Sequence, residues 1–181
     1  MTLPDCGTDE YGLLPPSSAP YPATLDEIRQ RFVAEAPEAT RDRRERIFTA
    51  LNLHIGELRR AFATRPRFWL SGGFVTHKTW NPRDADIFVI ASSPDEIARA
   101  SREPMVPLWT LSGVTARIGA NGREVDSPKL HTCLGLTDAC VVDGSDPWAV
   151  ELQRRFCGNV KASNGDILEG VEKGFVEVID G

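Results

Sequence analysis

The sequence is poor in cysteine and has no long apolar run. Its four cysteines are Cys6, Cys133, Cys140 and Cys157, with no Cys-x-x-Cys pair and no regular spacing. This pattern indicates reduced thiols, so we expect a cytoplasmic protein rather than a disulfide scaffold. No apolar segment approaches the roughly 20 residues of a membrane helix, and the acidic, proline-rich start does not fit a signal peptide.

An excess of basic residues is also missing, because 21 lysines and arginines face 26 aspartates and glutamates for a net charge of −5. This balance excludes a protein that coats nucleic acid or anionic membrane over its whole surface. It leaves room for a local basic patch or for a nucleotide bound through a metal ion. The 181 residues, 41% of them hydrophobic, can bury a core.

The pattern along the chain predicts two regions. Residues 1–22 are rich in glycine, proline and serine and end in "LLPPSSAPYP", which predicts an extended N-terminal arm. Residues 23–181 then form a single domain. A capping box at Thr24 and Glu27 predicts a short helix to about Ala34, and apolar residues at three- and four-residue spacing predict a longer helix over 38–62.

Strands and helices alternate in the rest of the chain. We predict strands at "RFWLS", "DIFVIA" and "DACVVDG", a short helix from Phe74, a helix from Ser93 to about Arg102, and another from Asp146 to Phe156. The segment 105–136 is harder to interpret; "MVPLWTL" and "VTARIG" are candidate strands and "ANGRE" a candidate turn. The tail "GFVEVI" fits a strand or a last helical turn. The alternation predicts an α/β or α+β fold with a mixed sheet of about four or five strands and flanking helices.

Two aspartates stand one residue apart in "RDADIFVIA". Asp84 and Asp86 project to the same side of an extended chain, and the apolar residues that follow occupy both parities, as in a strand buried on both faces. Two carboxylates so close together repel each other unless a cation compensates. A divalent ion such as Mg²⁺ suits a carboxylate pair with free positions for phosphate oxygens.

Two glycines precede the aspartates. Gly72 and Gly73 directly follow the strand "RFWLS" and precede the helix predicted from Phe74. Without side chains they allow backbone N–H groups and a helix N-terminus to approach a phosphate. A phosphate-binding turn beside a two-carboxylate metal site is the equipment of phosphoryl or nucleotidyl transfer.

The segment "LSGGFVTHKTWNPRDADIFVI" resembles the signature of the DNA polymerase β-like nucleotidyltransferase superfamily, in which a glycine pair precedes Asp-x-Asp by about ten residues. The wider sequence is similar to small nucleotidyltransferase-like proteins of bacteria and phages. The segments that carry this wider similarity are Leu14–Pro16, Thr24–Phe32, Gly72–Lys78 and Lys173–Val176.

The resemblance implies a polymerase β-like fold and a third carboxylate on a neighbouring strand, for which Asp138 is our choice and Asp126 and Asp143 are alternatives. It implies that Asp84, Asp86 and Asp138 hold two Mg²⁺ ions. One ion would activate an acceptor hydroxyl, with the third aspartate taking or orienting its proton, and the other would hold the triphosphate.

The resemblance further implies that Gly72 and Gly73 grip the β- and γ-phosphates and that Lys78 neutralises their charge, unless Lys78 faces solvent. The expected reaction moves NMP from an NTP to an acceptor, which is tRNA, a protein or a small molecule. The alternative is a non-catalytic nucleotidyltransferase-like module that binds a nucleotide or a protein partner, for example in a toxin–antitoxin or phage–host conflict system.

Weaker signals remain open. The segment from Gly72 to Thr79 nearly matches a P-loop, but His77 replaces its second glycine. His131-x-Cys133 is half of a zinc motif with no second half, and the alternative for these residues is packing or a place on the surface. His77 is a candidate substrate contact or acceptor. Trp80 and Trp109 are candidates for core packing or for base stacking.

Overall fold

The computed structural model describes residues 3–62, 64–118 and 122–180. The strands are β1 (Tyr21–Ala23), β2 (Arg67–Ser71), β3 (Ala85–Ala91), β4 (Leu111–Ile118), β5 (Arg123–Leu130), β6 (Thr137–Asp143), β7 (Asn159–Lys161), β8 (Ile167–Glu172) and β9 (Val176–Val178). The α-helices are α1 (Leu25–Arg29), α2 (Arg41–Ala61), α3 (Pro94–Ala100) and α4 (Pro147–Gly158). None of the helices in these residues is long and apolar enough to cross a membrane.

Five strands form one mixed sheet in the order β1-β9-β2-β3-β6, while β4–β5 and β7–β8 form two separate antiparallel pairs. Within the sheet, β1 runs parallel to β9, β2 runs antiparallel to both β9 and β3, and β3 runs parallel to β6. The protein is therefore mixed α/β with a five-stranded mixed sheet, which confirms the sequence prediction at that level.

Strand β3 is buried on both faces, as its apolar run predicted. Ile87 and Val89 belong to the larger core, to which α2 contributes its stripe of buried residues. Phe88 and Ile90 belong to a smaller core on the opposite face, closed by Cys157 of α4. The two ends of β3 are thus the only parts of this strand where polar groups fit without disturbing a core.

The first helices begin where the sequence predicted. Thr24 accepts a hydrogen bond from the Glu27 backbone, and the Glu27 side chain accepts one from the Thr24 backbone, so the capping box is complete. Helix α1 continues through a π-helical turn, Gln30–Ala34, to the predicted end. Residues Glu38–Thr40 form a 3₁₀ turn that leads into α2.

The N-terminal lead packs against the rest of the chain. Leu3 and Leu14 are buried in the larger core, and the last residues of the lead enter β1, an edge strand where Pro22 is tolerated because one side needs no backbone donor. Leu13 forms an isolated bridge with Thr76. The backbone N–H of His77 donates to the Gly12 carbonyl at 2.7 Å, so the lead fixes the segment after the glycine pair.

Three local predictions are wrong or incomplete. The helix expected from Phe74 is a turn over residues 72–75. Most of "MVPLWTL" is a 3₁₀ helix, Glu103–Leu108, whose two prolines cannot donate to a sheet. The segment "VTARIG" lies largely in β4, and part of "ANGRE" lies outside the described residues. Strands β5 and β8 were not predicted because they are mostly exposed and lack an apolar pattern, and β7 because it is only three residues long.

The remaining elements agree with the sequence. Ser93 caps α3 by accepting from the Glu96 backbone, and Asp146 caps α4 by accepting from the Trp148 backbone. The tail is extended and forms β9 between β1 and β2, which decides between the two interpretations of "GFVEVI".

Candidate functional site

Three polar residues form a row across one end of the sheet. Asp86 of β3 is paired in register with Ser71 of β2 on one side and with Asp138 of β6 on the other. Residues opposite each other on neighbouring strands share a face of the sheet. The row lies on the face covered by α4, because Phe88, two residues after Asp86, packs in the smaller core with Cys157.

Asp84 and His131 join this row from the chain on either side of it. Asp84 directly precedes β3, and His131 directly follows β5. One carboxylate oxygen of Asp84, one of Asp138 and a ring nitrogen of His131 all lie within 4.8 Å of one another. The structure therefore brings together the three aspartates named from the sequence and adds a histidine that was considered only as part of a zinc motif.

Asp86 is in an environment that disfavours its charge. Burial, together with the nearby carboxylates of Asp84 and Asp138, raises the pKa of Asp86 from 3.8 to about 6. A bound cation would reverse this effect by stabilising the carboxylate form. The raised pKa thus identifies a carboxylate whose charged form is disfavoured by burial and by its acidic neighbours.

Gly72 makes room for the Asp86 carboxylate. Its φ is +76°, and a Cβ added there would lie 1.6 Å from Asp86 Oδ2. No side chain fits this position, and the backbone conformation is itself unfavourable for residues other than glycine. The first glycine of the pair is therefore required beside the carboxylate. A Cβ at Gly73 would make only ordinary contact, with Pro82.

Two basic side chains already contact the cluster. Lys129 of β5 forms an ion pair with Asp138 Oδ2, and Arg83 Nε lies 3.2 Å from Asp84 Oδ2. Both cations are on flexible side chains that are considerably exposed to solvent, 42% for Lys129 and 73% for Arg83. They lower the repulsion in the cluster but are free to move away from it.

A cleft of about 420 Å³ opens beside the cluster and is lined by Asp84, Asp86 and both glycines. Three lysines also line it: Lys78, Lys161 and Lys173. The cleft combines a negatively charged edge with basic groups, which suits a ligand carrying phosphates and a divalent cation. Two other concavities, lined by Arg59 and Arg65, contain none of these residues.

Lys173 is the most deeply placed cation of the cleft. It is 3% exposed, and its Nζ donates to Ser71 Oγ and to the Cys157 carbonyl, both at 3.0 Å. Burial lowers the pKa of Lys173 from 10.5 to about 8. In the sequence, Lys173 stands out only as part of a resemblance. Nothing in the segment "EKGFV" shows that Lys173 contacts Ser71, 102 residues earlier.

Lys78 is buried rather than solvent-facing. Its Nζ donates to the Lys161 carbonyl and lies 5.1 Å from the centre of the Trp80 ring and 5.9 Å from that of Tyr11. Burial, followed by the charge of Lys161, lowers the pKa of Lys78. Trp80 lines the cleft and packs edge-on against Tyr11 of the lead, so the lead helps to position the lysine.

Arg44 fixes the turn that contains the glycines. It is fully buried in α2, and its Nη1 donates to the Phe74 carbonyl at 2.8 Å and to the Phe32 carbonyl at 3.1 Å. Together with the bridge between Thr76 and Leu13, this contact holds residues 72–75 in a turn. The predicted helix N-terminus for phosphate binding is therefore absent from this turn.

Several other sequence candidates lie elsewhere. Asp126 is on the exposed hairpin and accepts from Thr115, while Asp143 is five residues after Asp138, about 16 Å along β6. His77 Nε2 contacts the Arg31 carbonyl at 2.6 Å and does not line the cleft. A P-loop leads directly into a helix, whereas residues 72–75 form a turn, so the structure does not support the P-loop interpretation. Cys133 is not part of the cluster around His131.

Trp109 is a core residue. Its indole packs edge-on against Phe62, and its Nε1 donates to the Ala100 carbonyl at 2.8 Å. The base-stacking alternative therefore applies only to Trp80, which lines the cleft.

The fold and the site define a mixed α/β protein with an acidic cluster and a lysine-lined cleft at one end of its sheet. The chain belongs to the family described as "Family of unknown function (DUF6932)", whose model matches residues 6–179. The match includes most of the N-terminal lead as well as the sheet. Neither the curated proteins nor the solved structures contain a match to this chain.

Proposed function

We propose that this protein is a cytoplasmic, Mg²⁺-dependent nucleotidyltransferase with a polymerase β-like fold, which moves NMP from an NTP to an acceptor hydroxyl on tRNA, a protein or a small molecule. The observation that carries the proposal is the pairing of Asp86 with Asp138 on adjacent strands, with Asp84 beside them, at the edge of a lysine-lined cleft. No motif in the sequence alone requires this convergence.

The donor set fits Mg²⁺. Asp84, Asp86 and Asp138 offer only carboxylate oxygens, the ligands that this ion prefers. The carboxylates are close enough for Asp84 and Asp138 to raise the pKa of Asp86, and a divalent cation would remove that cost. When bound, Mg²⁺ would neutralise phosphate charge and lower the pKa of an acceptor hydroxyl.

Residues of the chain itself would bind the phosphates and orient the acceptor hydroxyl. Lys78 and Lys173 are held in the cleft by hydrogen bonds to backbone carbonyls, and they would bind the phosphate oxygens. Gly72 keeps the Asp86 carboxylate in place, and the backbone of Gly73 is open to the cleft. Asp138, which sits on the β6 side of the row, would orient or accept the proton of the acceptor hydroxyl.

The test is transfer of the α-phosphate label of an NTP. Wild-type protein is incubated with Mg²⁺, each α-labelled NTP and a bacterial extract as the source of acceptors, and labelled macromolecules and small products are separated. We expect label transfer and pyrophosphate release by the wild type and neither by Asp84→Asn/Asp86→Asn. Asp126→Asn is the matched control, because this acid lies outside the cluster. Equal transfer by the double variant would overturn the assignment.

A second function is favoured by one observation. Because Lys129 and Arg83 already contact Asp138 and Asp84, the acidic cluster is partly neutralised without a metal, as in a non-catalytic module that binds a partner. Under that function, for example in a toxin–antitoxin or phage–host conflict system, the protein would bind no Mg²⁺–NTP and would co-purify with one partner in fixed stoichiometry. Metal-dependent NTP binding would contradict it.

A further inference from the structure

His131 differs from a histidine whose role is packing. Its Nδ1 is buried and lies 3.2 Å from Asp84 Oδ2 without forming a hydrogen bond. His54, by contrast, has hydrogen bonds on both ring nitrogens, to Thr137 Oγ1 and to the Leu108 carbonyl. A buried imidazole nitrogen without a partner is unfavourable unless a ligand completes it.

The backbone holds this nitrogen against the acids. Thr132, next to His131, bridges to Thr137 and donates to its carbonyl at 3.1 Å. Thr137 in turn precedes Asp138, so a short closed loop carries His131 back toward the start of β6. The histidine is thus placed by a hydrogen-bonded turn and not by a mobile segment of the hairpin.

We infer that Asp84, His131 and Asp138 form a site for a first-row transition-metal dication, of which Mn²⁺ and Zn²⁺ are examples, that binds such ions more tightly than Mg²⁺. A ring nitrogen and two carboxylate oxygens within 4.8 Å of one another are spaced as ligands of one ion. Imidazole favours transition metals, whereas Mg²⁺ prefers oxygen donors alone.

The inference rests on the proposed function, because it assigns one of the proposed metal positions to a transition metal. Metal affinity itself is measured without nucleotide. The ion pair between Lys129 and Asp138 gives a second, opposite test. Because the Lys129 ammonium competes with a metal for the same carboxylate, removing it should strengthen metal binding at a site that includes Asp138, while the loss of Zn²⁺ affinity in His131→Asn tests the histidine.

The experiment is calorimetric titration of Mn²⁺, Zn²⁺ and Mg²⁺ into the metal-free full chain without nucleotide, with Co²⁺ absorption as a report of nitrogen ligation. We expect the wild type to bind Mn²⁺ and Zn²⁺ at least tenfold more tightly than Mg²⁺. His131→Asn keeps a polar group of similar reach and should lose at least tenfold in Zn²⁺ affinity, with little change for Mg²⁺. Lys129→Met should bind all three ions more tightly, and Asp126→Asn should match the wild type.

Two results would overturn the inference: equal affinity of the wild type for Mg²⁺ and Zn²⁺, or unchanged Zn²⁺ affinity in a folded His131→Asn variant. Thermal unfolding of each variant without metal identifies a loss of fold. The two proposals fail separately. Zn²⁺ binding without any NTP binding would support the site and contradict nucleotidyl transfer, while Mg²⁺–NTP binding by a wild type whose Zn²⁺ affinity does not depend on His131 would do the reverse.

Discussion

Gly72 leaves open the space that the Asp86 carboxylate occupies, because a Cβ on residue 72 would lie 1.6 Å from the Asp86 carboxylate oxygen. The pair joins the end of β2 to the start of β3, where Ser71 and Asp86 are in register. The glycine signature and the acid signature are therefore two parts of one structural unit.

Gly72→Ala should destabilise the protein and abolish Mg²⁺–NTP binding. The positive φ alone costs about 1–2 kcal/mol for an alanine, and the clash with Asp86 adds to it. Gly113→Ala is the matched control, since Gly113 has φ +63° with open space around its Cβ position. Urea unfolding of both variants measures the difference; equal losses of stability would show that the clash is absent.

Asp86→Asn should stabilise the metal-free protein at pH 8 while removing Mg²⁺-dependent ligand binding. The substitution removes a buried charge that lies near Asp84 and Asp138, and we expect a gain of roughly 1–3 kcal/mol in the free energy of unfolding. Chemical denaturation with and without Mg²⁺ is the measurement. A loss of stability in metal-free buffer would mean that Asp86 is held by favourable contacts instead.

Lys173 should make the free energy of unfolding of the wild type depend on pH in the alkaline range. Burial lowers the pKa of Lys173 to about 8 from 10.5, so between these values the unfolded chain binds a proton that the folded chain does not. The free energy of unfolding should therefore rise with pH from about 8 to 10.5, by up to roughly 3 kcal/mol. Below pH 8, the titration of Lys173 should not change the free energy of unfolding.

Lys173→Met should remove that rise and be more stable than the wild type at pH 7. The Cys157 carbonyl keeps a partner in the variant, because Ser71 Oγ also donates to it at 2.9 Å. Urea titrations at pH 7, 8.5 and 10 measure the slope. An unchanged slope in Lys173→Met would assign the dependence to other groups.

Lys78→Met should weaken NTP binding by about tenfold and NMP binding much less, because a lysine that binds the phosphate tail distinguishes the two. Methionine preserves the contact with Trp80 and Tyr11, over which the Lys78 ammonium now lies. Calorimetry with NTP and NMP measures the ratio. Equal losses for both nucleotides would place the lysine near the base or sugar.

Much of the sheet and part of the site could be predicted from local pattern. The alternating acids and the apolar run of β3 identify a buried strand with two carboxylates at its start, and Asp138 could be chosen because it opens a second apolar strand. The polymerase β-like identity of the fold stays a prediction. The helix predicted from Phe74 was wrong: the segment is a turn with two long-range contacts, a hydrogen bond from Arg44, 30 residues earlier, and a bridge to Leu13.

Other features depend on long-range contacts that leave no local signal. Lys173 enters the site only because β9 pairs with β2, and His131 only because the Thr132–Thr137 bridge closes the chain after β5. Strand β5 carries charges on both faces, so no periodicity marks it. A search for lysine residues next to predicted strand ends would have selected Lys173, among others, whereas His131 follows β5, a strand that was not predicted.

The most direct test of the account is calorimetric titration of Mg²⁺–NTPs into the wild type and into Asp84→Asn/Asp86→Asn. We expect the wild type to bind at least one NTP in a metal-dependent manner. The double variant should lose this binding while its far-UV circular dichroism stays the same as that of the wild type. Absence of binding to the wild type, or equal binding by both proteins, would contradict it.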